Sequence, residues 1–407
     1  MSLHLAFVSL HTSPATQPGS GDAGGLNVVE RATADALADL GHTVELITRR
    51  ADPAEPDAVE LRPGVVLRHL TAGPERPLPK SEIDAFIPEF SEEFGRLSRY
   101  DLVHSHHWMS GVAALPHARA WGVPHVQSYH SVAALPGSPL AEGEAPESPA
   151  RVPGEALVAR ESQAVVAISA AEARTVIERC GAEPERVCIV SPGVDHELFR
   201  PLRPGEEPWV VPGAADQVGQ RGFVLFAARL QPLKGPDLAI RALAGVDAAI
   251  RPHLVIAGDV SADFAAYEAT LLALVDELGL TGQVSFIGPQ ARPELARLMR
   301  SARIVLVPSH SETFGLVALE AASSGTPVIA AAAGGLREAV AHGETGQLMD
   351  SRRAEDWASA ITYLLTVPGL LERQGVVARV HARRFVWRWS AARLASIYAD
   401  LLEKGMP

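Results

Sequence analysis

The sequence predicts an α/β protein built as two doubly wound halves facing each other across one cleft. Three observations lead there. Short apolar runs of strand length alternate with stretches whose apolar residues recur at helical spacing. A segment rich in proline, glycine and acid, residues 199–221, interrupts this alternation in mid-chain. The alternation then starts afresh at Phe223, with no shorter repeat, coiled-coil heptad or low-complexity tract.

The elements follow in order. Residues 3–9 are apolar on both faces, as a central parallel strand should be. A long loop leads to helical spacing over 26–40, closed by Gly41-His42, and a second strand at 44–48; this strand-loop-helix-strand unit opens a Rossmann-like half. Residues 51–100 are proline- and charge-rich, with a weak helical pattern over 83–94. A strand starts at Leu102 and runs into His104-Ser105-His106-His107-Trp108; another covers 123–129 and ends at His130. A proline- and glycine-rich loop, 136–154, carries Arg151. Helices are expected at 156–162 and 170–180, with strands at 164–168 and 187–190. After the 199–221 linker come strands at 223–228, 254–256, 284–286 and 304–307. The last helix, 390–402, follows the aromatic run Phe385-Val386-Trp387-Arg388-Trp389, which reads as core packing.

Composition limits the partners. The chain has 407 residues, enough for two or three domains, with 47% hydrophobic and 21% charged residues. A formal net charge of -12 argues against nucleic acid or an anionic membrane surface as partner. An anionic ligand must then be held by a few local cations. Two cysteines, Cys180 and Cys188, are too few for a disulfide framework, which suits the reducing cytoplasm. The opening MSLHLAFVSLH lacks a basic region and its apolar run is far shorter than a membrane span, so neither export nor a span is expected. The sequence leaves room for a homodimer without specifying one.

The chemistry centres on residues 308–328, PSHSETFGLVALEAASSGTPV. A buried strand passes through a polar loop into a helix beginning near Phe314 and Gly315 and ending at Gly325. Glu312 stands in the loop and Glu320 two turns into the helix. The unpaired N–H groups of the helix start, behind the sterically open Gly315, make a seat for a phosphate or diphosphate. Such an element occurs in many α/β proteins, so its neighbours decide. Arg229 and Lys234, five residues apart across a strand-to-helix loop, can both point at one diphosphate.

Other signals weigh less. Gly19, Gly21 and Gly24 spell GxGxxG, but residues 10–18 separate them from the strand, which disfavours an NAD(P)-dependent oxidoreductase. They read better as a glycine loop at a cleft edge, with Gly24-Gly25 giving backbone access and Asn27 offering its amide to a ligand. Three histidines within 104–107 invite a zinc site, but no matching ligand spacing completes one. His130 lies at a strand's carboxyl end, where open α/β sheets bind ligands. Lys80, in LPKSE at the start of the weak helical pattern, is a lone lysine of the kind more often solvated than functional.

The motifs RLQPLKG, SETFGLVALE and GGLREAVAHGETGQLMD resemble the family 4 retaining glycosyltransferases of GT-B fold. HTSPATQPGSGDAGGLNVVE and YDLVHSHHWMSG resemble one branch of them, the D-inositol-3-phosphate glycosyltransferases of mycothiol biosynthesis, and the likeness spans essentially the whole chain. It implies an acceptor domain of residues 1–196 plus 388–407, a donor domain of 197–387, and closure hinged near 196 and 387. The donor would be a nucleoside-diphosphate sugar, with no cofactor required. Arg229, Lys234 and the N–H groups around Phe314, Gly315 and Leu316 would grip its diphosphate, with Gly25 at the border. Glu320 would hold the ribose, Glu312 the sugar hydroxyls, and His130 would contact the transferred sugar. His130, Glu312, Arg229 and Lys234 are the implied catalytic set. The acceptor phosphate, met in this branch by lysine, tyrosine, threonine and arginine, would face Lys80, His107, Ser131 and Arg151. Histidine and serine here replace tyrosine and threonine, and Pro136-Gly137 replaces a Lys-Asn pair. An antibiotic-pathway relative that S-glycosylates ergothioneine with a GDP-sugar in lincosamide assembly is therefore the alternative. The family is thought to displace the leaving group from the front face, and the sequence has no Asp-x-Asp pair for a metal.

Overall fold

The computed structural model describes residues 2–19, 23–134, 148–211, 221–260 and 264–404; Gly21 and Pro136-Gly137 lie outside them. The first half carries strands β1 (His4–Ser9), β2 (Thr43–Arg49), β3 (Ala58–Arg62), β4 (Val65–Leu70), β5 (Leu102–His106), β6 (His125–Ser128), β7 (Ala164–Ala167) and β8 (Val187–Ile189). They form one sheet in the order β3-β4-β2-β1-β5-β6-β7-β8, parallel except for the β3–β4 hairpin. The second half carries β9 (Phe223–Ala227), β10 (His253–Ala257), β11 (Val284–Phe286), β12 (Ile304–Val307), β13 (Val328–Ala331) and β14 (Gly346–Met349). Their order is β11-β10-β9-β12-β13-β14, all parallel.

Both sheets obey the same physics. Strands buried on two faces have no polar side, and β9 shows it: Val224 and Phe226 enter one core, Phe223, Leu225 and Ala227 the other. Strand order reverses at β1/β5 in the first sheet and at β9/β12 in the second. Such switch points open a crevice beyond the carboxyl ends of the strands, because the helices that follow the two central strands leave on opposite faces. The loops after β1, β5, β6, β9 and β12 are therefore the ones topology sends to the cleft.

The last helix, Trp387–Lys404, returns to the first half, burying Ala391, Leu394, Ile397 and Tyr398 in the core beside β1 and β2. It crosses back where residues 193–196 cross forward: Val194 N donates to Phe385 O at 3.2 Å, His196 Nε2 meets Phe385 O at 3.1 Å, and a Cβ on Gly193 would stand 2.3 Å from Trp387 N. No described helix is long and apolar enough to cross a membrane.

Four expectations need correction. The β3–β4 hairpin lies inside the stretch read as proline- and charge-rich; Pro63-Gly64, with Gly64 at φ 83, is its turn. Arg151 is not on a loop but opens the helix Arg151–Glu161, five residues before the expected start. Phe199, assigned to the linker, is fully buried in the second core. Trp389, expected in the core, is 61% exposed, whereas Phe385 packs edge-on against Phe314 at 5.5 Å.

Candidate active site

One cavity of about 490 Å³ lies between the halves. Its second-half wall is the strand-loop-helix unit read first from the sequence. Ile304–Val307 is buried throughout, and the helix Leu316–Ser323 starts behind Gly315 at φ 99. The left-handed value fits glycine alone, since a Cβ there would lie 2.4 Å from Leu336 Cδ2. The loop between them is clamped from behind. Gly335 N donates to Glu312 O at 2.9 Å, and a Cβ on Gly334 would stand 2.0 Å from that oxygen, which is why two glycines sit there.

Beyond β9, Arg229 and Lys234 reach the same cavity, Lys234 from the single turn Pro232–Lys234. Lys234 Nζ stands 2.5 Å from Glu312 Oε1, which also accepts a hydrogen bond from Ser309 Oγ at 2.9 Å. Glu320 is buried, and its Oε1 pairs with Arg292 Nη1 at 2.9 Å. Burial pushes the Glu320 carboxyl up while Arg292 pulls it back down. Arg292 is held from its other side by the Phe199 ring, 4.9 Å away.

The first half supplies the opposite wall. A Cβ on Gly24 would come within 3.8 Å of Arg229 Nε, and one on Gly25 within 3.4 Å of Leu316 Cδ1, so the glycine loop lies directly over the second-half site. Asn27 lines the cavity, but its amide serves the loop instead of a ligand. Its Oδ1 accepts from Gly24 N at 2.8 Å, and its Nδ2 donates to Thr12 Oγ1 at 2.8 Å and Ser13 O at 2.7 Å. Lys80, His107, His130 and Ser131 also line it. His107 and His130 are the two non-glycine residues at positive φ (70 and 58) among the described residues, and both sit in this cavity. His130 O accepts from Thr313 Oγ1 at 2.6 Å, a bond between the halves. Burial brings its imidazole down to about 4, so it is neutral at pH 7.

Arg151 is the predicted site residue that does not reach the wall. It is buried behind Ser131: Nε donates to Glu155 Oε1 at 2.8 Å and Nη2 to Ser131 Oγ at 3.2 Å. Sequence reasoning missed Arg292, His11 and Glu172, which line the cavity too. The rule that selected Arg229, a cation just beyond a strand's carboxyl end, would have selected Arg292 after β11. His11, by contrast, sits in a loop without periodic signal; its ring lies tilted against that of His107, centroids 4.3 Å apart. Of the strand histidines, His104 has both ring nitrogens engaged: Nδ1 meets Tyr398 Oη at 2.6 Å and Nε2 meets Ser128 Oγ at 2.9 Å.

Comparison with known proteins follows the same division. Residues 24–193 match the glycosyl transferase 4-like domain and 214–380 the glycosyl transferases group 1. The D-inositol 3-phosphate glycosyltransferase of Thermobispora bispora is 42% identical over 98% of this chain and 95% of its own. That of Thermomonospora curvata is 42% identical over 97% and 94%. Among solved structures, the sucrose-phosphate synthase of Thermosynechococcus elongatus superposes with a TM-score of 0.88 at 28% identity, covering 99% of this chain and 100% of that one. HepE of Anabaena, crystallised with UDP and glucose, has a TM-score of 0.75 at 22% identity, over 98% and 100%, and shares the fold.

Proposed function

Because the chain belongs to the group 1 glycosyltransferases of GT-B fold, in the family of the D-inositol 3-phosphate glycosyltransferases, we propose that it moves a sugar, with retention, from a nucleoside-diphosphate sugar to a small anionic acceptor such as 1D-myo-inositol 3-phosphate. The observation that carries this reading is the convergence of Arg229, Lys234 and the helix start at Gly315 on one cavity, between Glu312 and Glu320. Three positive features there face one diphosphate and stabilise its charge as it leaves. Glu320, steadied by Arg292, takes the ribose hydroxyls, and Glu312 the sugar. The backbone around Gln290, which lines the cavity, receives the base.

The acceptor domain, 1–196 plus 388–407, then brings Lys80, His107 and Ser131 opposite the anomeric carbon, with Arg151 supporting Ser131 from behind. Both free cysteines fit a reducing, cytoplasmic setting. In a front-face displacement the departing phosphate oxygen accepts the acceptor's proton, so no protein base and no metal enter the step. The withdrawal of Arg151 to Glu155 favours a second reading of the acceptor, a neutral or thiol-bearing molecule such as ergothioneine.

A thermal-shift panel of UDP-, GDP- and ADP-sugars identifies the donor, and mass spectrometry of products with inositol phosphate and with small thiols identifies the acceptor. A stabilising donor and a product heavier by one sugar are expected. No shift with any nucleotide sugar would sink the proposal.

A further inference from the structure

His130 holds, at the cavity wall, a backbone that a residue with a side chain rarely takes, φ 58. A left-handed non-glycine residue persists only where its surroundings impose it, so the groups that impose it here bear on the site. Its ring is anchored by Nε2 against His106 Nδ1 at 2.9 Å. Its main chain is held separately, on both sides. The N–H donates to the buried carboxyl group of Glu172, whose Oε2 also accepts from Ile168 N at 2.7 Å. The carbonyl accepts from Thr313 Oγ1 at 2.6 Å, across the cleft.

Both holds lead back to one piece of the second half. Thr313 follows Glu312 in the loop before the helix start, and that loop rests on Gly334-Gly335 so closely that a Cβ on Gly335 would stand 2.3 Å from Thr313 O. Three residues further on, Glu338 Oε1 accepts from Ala170 N at 2.8 Å, again across the cleft. Ala170 opens the helix Ala170–Thr175 that carries Glu172, behind the cap formed by Glu172 N donating to Ser169 Oγ at 3.0 Å. The carboxyl group that takes the His130 N–H therefore sits on a turn gripped by Glu338, while Thr313 grips the His130 carbonyl directly. The Thr313 hydroxyl proton is committed to that carbonyl, and Glu338 is not part of the cavity wall.

We propose that Thr313 and Glu338 are positioning residues that fix the main chain of His130 from the opposite half, so that its imidazole stands beside the donor sugar only while the donor loop is seated against the first half. The inference rests on the reading of His130 as a contact of the transferred sugar. Given that, the loop that meets the donor through Glu312, Phe314 and Gly315 also sets, through Thr313, the residue that meets the sugar from the other side.

Protein labelled with carbonyl-13C histidine reads the clamp without catalysis, the His130 signal being the one missing from His130→Ala. Thr313→Val, which keeps the shape and removes the hydroxyl, should move that signal; Thr313→Ser should leave it near its wild-type position. Kinetics use the UDP-, GDP- or ADP-sugar that gives the thermal shift and the acceptor, inositol phosphate or a small thiol, that gives product. Thr313→Val and Glu338→Ala should each lower kcat/KM for the donor about three- to tenfold, the worth of one hydrogen bond, with Thr313→Ser restoring most of it. In a His130→Ala background both losses should shrink to within about twofold, because the residue they act through has gone. An unmoved His130 carbonyl signal in Thr313→Val overturns the proposal. So does a loss as large without the His130 ring as with it, or a lower melting temperature with kcat/KM unchanged, which is what a purely structural bond would give. Unchanged turnover in His130→Ala would instead remove the reading of His130 as a donor contact, and the carbonyl signal still decides the clamp.

Discussion

Replacing Lys234 by alanine separates the two jobs the structure gives this side chain. In the free protein its ammonium is paired with Glu312 at 2.5 Å, with side chains 16% and 19% exposed. An ion pair that still meets solvent is worth roughly 1 kcal/mol or less, so the fold should lose only a few degrees of melting temperature. The proposed second job is charge neutralisation as the diphosphate departs. Removing one preorganised partner of a developing charge costs about 10²- to 10³-fold in turnover, or ~2.7–4 kcal/mol. The catalytic loss should therefore exceed the stability loss severalfold. Initial rates against donor concentration at saturating acceptor, with circular dichroism on the same samples, measure both. Glu312→Gln and the double variant complete a cycle: if Lys234 mattered only by holding Glu312, the double variant would be no slower than Glu312→Gln alone. Turnover within fivefold of wild type in a folded Lys234→Ala protein would refute the role.

Two further outcomes follow from named contacts. Burial raises the Glu172 carboxyl from 4.5 to about 7, against hydrogen bonds from the Ile168 and His130 N–H groups that lower it. A folded-state value above the unfolded one means the native protein binds more protons between those two limits, so stability falls as pH rises through that window. Urea unfolding of Glu172→Gln should show a stability advantage over wild type that grows from pH 5 to pH 8 towards roughly 3 kcal/mol; an advantage that stays flat with pH contradicts the assignment. Gly315→Ala places a Cβ 2.4 Å from Leu336 Cδ2, on a backbone at φ 99. Overpacking and left-handed strain together should cost about 2 kcal/mol or more, with a lower melting temperature and a smaller thermal shift on adding donor; an unchanged melting temperature counts against the geometry of the helix start.

The second half was the more legible. Ile304–Val307 reads as a strand because four apolar residues in a row suit a strand covered on both faces, and it is one, to the residue. Gly325, chosen as the helix stop, takes φ 77. The β3–β4 hairpin went unseen because Glu60, Arg62 and Arg68 dilute the alternation on an edge of the sheet, where one face meets water. Asn27 was recognised as important for the wrong reason: an exposed-looking amide after two glycines suggests a ligand, but satisfying the N–H and carbonyl groups of its own loop consumed it.

What the sequence determined by itself was everything that depends on neighbours along the chain: the alternation of buried strands and amphipathic helices, the glycines that must take positive φ, and the cations and carboxylates just past strand ends. What only tertiary structure decided was which of these meet. Arg229 comes to face Gly24 across the cleft, Arg292 pairs with Glu320, Arg151 withdraws behind Ser131, and Glu30 is stranded against His106. Those pairings follow from sheet order and from the packing of one half on the other. A side chain's spacing in sequence fixes the direction it leaves its own element, and nothing about what stands opposite.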